Sequence, residues 1–87
     1  MKYSIIISRS LTQAHQMADV CRRAGISAQL VRTPAVLRQG GCGSAVRVDG
    51  RDLPQARMAL SRAGITSARI YTAQPGGGWQ EVSGDLF

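Results

Sequence analysis

Apolar positions along the chain change their period several times, and each change marks an element. Leu11, Ala14, Met17, Ala18 and Cys21 recur at three- and four-residue steps, which is one face of a helix. Ser10-Leu11-Thr12-Gln13 opens this stripe as a capping box: the serine hydroxyl and the glutamine side chain satisfy N–H groups that the first turn leaves unpaired. A second stripe, Leu53, Ala56, Leu60 and Ala63, follows Asp52-Leu53-Pro54-Gln55, with proline tolerated in the first helical turn. The spacing predicts helices over 11–24 and 53–63. Both stripes end in the same tetrapeptide, Arg-Ala-Gly-Ile, at 23–26 and again at 62–65. Gly25 and Gly64 stand where a left-handed cap would close each helix.

Short β-branched or alternating runs at 3–8, 28–32, 45–48 and 68–72 have strand length. The order βαββαβ, with two helices that must each bury one stripe, predicts an α+β chain of ferredoxin-like architecture. That is a four-stranded antiparallel sheet with both helices on one face. Residues 1–73 make up this domain. From Gln74 the composition shifts to Pro75-Gly76-Gly77-Gly78, a flexible break, and 74–87 reads as a glycine-rich tail. Either the tail is disordered, or Trp79 and Phe87 pack on a neighbouring surface.

Size and charge narrow the function. A chain of 87 residues is one domain. Its longest apolar run, Ile5-Ile6-Ile7, is far short of a membrane span and of the apolar segment of a secretory signal. A cytoplasmic protein with no membrane partner is expected. Two cysteines are too few for a secreted disulfide framework, and without a CxxC pair or a second histidine they set no metal site, so neither metal nor cofactor is expected. The net charge of +6, from arginines spread along the chain, suits an anionic partner without specifying one. Nucleic acid is disfavoured, because a sheet that stacks bases needs aromatic residues on its central strands and the third strand, Ser44-Ala45-Val46-Arg47-Val48, has none.

The candidate chemistry lies in Gln39-Gly40-Gly41-Cys42-Gly43-Ser44, at the end of a connection too long for a tight hairpin. In the expected topology the loop leaving the second strand returns to the sheet end where the first helix begins, around Arg9 to Gln13. Cys42 would then face the positive end of that helix dipole, with Arg38 and Arg9 nearby, and both effects favour thiolate over thiol. Gly41 and Gly43 leave the sulfur uncrowded. The alternative is a buried cysteine that merely starts a strand. Cys21, on the apolar stripe, is structural. His15 and Asp19 form a surface pair, no serine has a base, and the glycine-rich loop lacks the Gly-Lys-Ser/Thr of a phosphate loop.

A short Tyr/Ile-rich first strand, Ala24-Gly25-Ile26, Thr33-Pro34, Cys42-Gly43-Ser44-Ala45-Val46-Arg47-Val48, Asp52-Leu53 and Ala63-Gly64-Ile65 occur in this order. The set resembles the putative selenium/sulfur carrier-like family of small bacterial proteins, over about Tyr3 to Tyr71. The Cys-Gly pair followed by a strand with arginine is the sharpest element. The resemblance implies a carrier rather than a turnover enzyme. In it Cys42 would hold sulfur or selenium as a persulfide or selenosulfide, received from a cysteine desulfurase or another donor and passed to an acceptor enzyme. Ser10, Arg38 and Arg47 would support the thiolate or meet an acidic partner. The rival reading is a regulatory or interaction module of the same fold, a possible homodimer, in which Cys42 is incidental.

Overall fold

The computed structural model describes residues 3–37, 43–65 and 69–82. Its elements run β1 (Tyr3–Ile7), α1 (Leu11–Arg23), β2 (Ala28–Arg32), β3 (Ser44–Asp49), α2 (Leu53–Arg62), β4 (Arg69–Ala73) and β5 (Trp79–Glu81). Every strand pairing is antiparallel, in the order β2-β3-β1-β4-β5. The α+β class is as expected, but the strand count is corrected from four to five. The additional strand comes from the stretch expected as a glycine-rich tail. The Gln74 N–H donates to the Gly78 carbonyl at 3.1 Å, and Gly77 and Gly78 take φ of 94° and 82°, so the glycines turn the chain back onto β4. Glycine adopts such backbone angles without the clash a side chain would bring, which makes the break a hairpin turn.

Both helices pack on one face of the sheet. Ala14, Met17, Ala18 and Cys21 of α1 and Ala56 and Leu60 of α2 share a core with Ile6, Ala28, Val46, Val48 and Ile70 of the strands. Three of the six helix residues are alanine, which lets the helices approach each other and the sheet closely. Two stripe residues stand outside this core. Leu11, in the first turn, is 56% exposed, and Ala63 is the exposed C-cap of α2.

The repeated Arg-Ala-Gly-Ile now has a physical meaning. At the end of α1, the Ile26 N–H donates to the Cys21 carbonyl and the Gly25 N–H to the Arg22 carbonyl, both at 3.0 Å. At the end of α2, Ile65 donates to Leu60 at 2.9 Å and Gly64 to Ser61 at 3.0 Å. Each is a Schellman closure: glycine turns left-handed at φ 83° or 78°, and the following isoleucine folds back beside the last core residue of the helix. At the other end of α1, Ser10 Oγ accepts from the Gln13 N–H at 3.0 Å, as the capping box requires. Gln13 Oε1 accepts from Arg9 at 2.6 Å, one residue earlier than a regular capping box would use.

A Cβ at Gly25 would meet nothing within 4 Å, so replacing this glycine tests the backbone angle alone. Gly25→Ala should cost about 1–2 kcal/mol in denaturant unfolding. Gly76→Ala, where φ is not positive, should stay within about 0.5 kcal/mol of the parent. Equal losses at the two positions would contradict the Schellman assignment.

Candidate functional site

Three chain segments meet at one end of the sheet. The Ser44 carbonyl, at the start of β3, accepts from the Ser8 N–H at 3.4 Å and the Ser8 hydroxyl at 2.7 Å. The Gly43 carbonyl accepts from the Thr33 N–H, just past β2, at 2.6 Å. Ser8 is buried and lies two residues before Ser10, the N-cap of α1. The entry to β3, the exit of β1 and the start of α1 are therefore gathered together. This brings Gly43, Arg9 and Ser10 into one neighbourhood. Cys42, Arg38 and Gly41 lie outside the described residues.

Arg47 is drawn elsewhere. Its guanidinium carbon sits 4.2 Å from the centre of the Tyr3 ring, toward the end of β1 opposite Ser8. Tyr3 in turn meets Trp79 edge-on, with ring centres 5.7 Å apart and planes at 79°. Both contacts are attractive: a cation over a π face and a ring edge against a ring face. They close one side of a groove of about 500 Å³ between the aromatic pair and the turn of Gln74, Pro75, Gly77 and Gly78. The alternation of β1 and β4 held part of the signal for this cluster, since Tyr3, Ile5 and Ile7 share one face of β1, and Arg69, Tyr71 and Ala73 share the same sheet face on β4. Trp79, expected either in a disordered tail or packed on a neighbouring surface, reaches Tyr3 through the β4–β5 hairpin.

Electrostatics separates the structural groups from the candidate ones. Cys21 is fully buried, and burial pushes its thiol up. The carboxyl of Asp49 is held down, first by the backbone N–H of Arg51, which donates to it at 2.9 Å, and further by the Arg51 guanidinium at 3.4 Å. On α1, Asp19 pairs with Arg23 at 3.0 Å, and His15 is exposed beside it. Arg22, which the sequence did not single out, donates through Nε to the Ala28 carbonyl at 3.0 Å and ties the end of α1 to β2. Among the described residues no three His, Cys, Asp or Glu side chains gather as metal ligands, and no helix is long and apolar enough to cross a membrane.

The family model described as Putative Se/S carrier protein-like matches residues 2–72, and the chain belongs to that family. The match spans β1 to β4 and stops before β5. No curated protein and no solved structure matches the chain.

Cys21 should resist iodoacetamide at pH 8 in the native protein and react once guanidinium unfolds it. Native labelling at the rate of a free thiol would show that the core does not seal it. The linkage has a definite sign. A thiol whose folded pKa lies above its unfolded value contributes stability below roughly pH 8.5, and that contribution is lost as pH rises through the folded pKa.

Proposed function

We propose that the protein is a sulfur or selenium carrier, not a turnover enzyme, and that the Cys42 thiolate accepts the chalcogen. Family membership supports the carrier class. The observation that carries the assignment to Cys42 is the pair of hydrogen bonds from Ser8 to Ser44, which ties the entry of β3 beside the start of α1. Cys42 is bonded to Gly43, which lies at the sheet end where the positive end of the α1 dipole would favour a thiolate. Arg38 and Arg9 add positive charge, Ser10 caps the helix, and Gly41 and Gly43 keep the sulfur accessible. Arg47, exposed on the sheet, meets an acidic surface of a donor or acceptor. The first four strands with the two helices are read as a ferredoxin-like unit extended by β5.

The transfer step balances without cofactor or metal. The Cys42 thiolate attacks the outer sulfur of a donor persulfide, such as that of a cysteine desulfurase. A sulfur–sulfur bond forms at Cys42, the donor's breaks, and the electron pair leaves on the donor thiolate. The oxidation state of the pair does not change, and the acceptor enzyme takes the sulfur by the same exchange. A selenosulfide donor follows the same course. No resolving thiol is required, which is consistent with Cys21 being sealed in the core. Such a thiol stays reduced in a cytoplasm.

Incubated with a cysteine desulfurase and cysteine, the protein should gain the mass of one sulfur atom, and Cys42→Ser should not. No gain in the parent, or the same gain in the variant, would reject the assignment.

A further inference from the structure

The face of the sheet away from the helices has a composition of its own. Cross-strand partners place Gln29, Arg47, Ile5, Tyr71 and Glu81 in one row over all five strands. A neighbouring row runs Val31, Ala45, Ile7 and Arg69, and Tyr3 and Trp79 stand at the other side. Neither α1 nor α2 packs on this face, yet Ile5 is 3% exposed and Tyr71 9%. Tyr3 and Trp79 are half-buried, and Arg47, over the Tyr3 ring, is exposed.

We propose that this face binds single-stranded nucleic acid, with a base entering the groove beside Trp79 and Tyr3 and the phosphates meeting Arg47. Three observations point to that ligand. The chain carries a net charge of +6, which attracts a polyanion. Aromatic rings and arginine planes are the surfaces on which unpaired bases stack without reading sequence. The groove wall opposite the rings is glycine, and a Cβ at Gly77 or Gly78 would meet nothing within 4 Å, so a planar group has room. Asp49 does not spoil the field, since Arg51 pairs with it, while Glu81 at the edge subtracts one charge. The absence of aromatics on β3 weighs against this ligand in the sequence, but Tyr3 of β1 and Trp79 of β5 line the groove. The proposal is independent of any chemistry at Cys42.

Trp79 is the sole tryptophan, so its fluorescence reports on the platform directly. At low salt, short single-stranded RNA or DNA oligonucleotides should quench it, and affinity should fall as salt rises. Either sugar supports the proposal. Tyr3→Leu, which keeps β1 apolar, should weaken binding roughly ten-fold. Arg47→Gln should weaken it roughly three- to ten-fold. Arg62→Gln, the same charge change on α2, should have much less effect. Equal losses for Arg47→Gln and Arg62→Gln would mean adsorption by overall charge and would overturn the proposal. So would duplex binding as tight as single-stranded binding, an absence of quenching, or a dimer that sedimentation shows to be broken by Tyr3→Leu and Arg47→Gln.

Discussion

The fold turns on the need to bury β1 from both sides. This strand is central, and its run Ser4, Ile5 and Ile6 is buried without a break. A continuous apolar run is what a strand covered on both faces demands. Two short helices can cover only one face, and Ile6 takes that side with Met17 and Leu60. Burying an isoleucine side chain stabilises by roughly 1.5–3 kcal/mol, so leaving Ile5 open on the other face would forfeit a large share of a small domain's stability. On the other face the Arg47 guanidinium sits over Tyr3, Trp79 meets the same ring edge-on, and Tyr71 is the cross-strand neighbour of Ile5. β5 is part of this solution, since it delivers Trp79 and adds Val82 to the helix-side core.

The Tyr3–Trp79 pair and the start of α1 lie at opposite ends of β1. Tyr3 and Ser8 are five residues apart, roughly 17 Å along an extended chain. Cys21 does not link them, because it is sealed under both helices. Arg47 stands nearer the aromatic end by virtue of its stack on Tyr3, while Arg9 belongs to the helix end.

Much of the architecture was legible because local rules and tertiary packing agree. The stripes of α1 and α2, Ser10 as N-cap, and Gly25 and Gly64 as left-handed caps follow from spacing and backbone sterics alone. Leu11 and Ala63 fit the helical period yet miss the core, because a period says which face a residue shares and not how far the sheet extends beneath it. β5 was hidden for a different reason: Pro75-Gly76-Gly77-Gly78 has the composition of a linker, and only pairing with β4 makes it a turn. The aromatic cluster was equally hidden, since Tyr3, Tyr71 and Trp79 come from three strands far apart in sequence and cross-strand register alone unites them. Around the candidate thiol, Gly43, Arg9 and Ser10 share the expected end of the sheet, while Cys42 and Arg38 lie outside the described residues.

The central functional claim is that Cys42 is a thiolate under ordinary conditions, and its ionisation can be measured alone because Cys21 is sealed. The rate of Cys42 alkylation followed against pH should rise through a midpoint below the ordinary thiol value of about 8.5. It should shift upward in Arg38→Gln if neighbouring positive charge is the cause. A midpoint at or above that value would contradict the account and leave Cys42 an ordinary surface thiol.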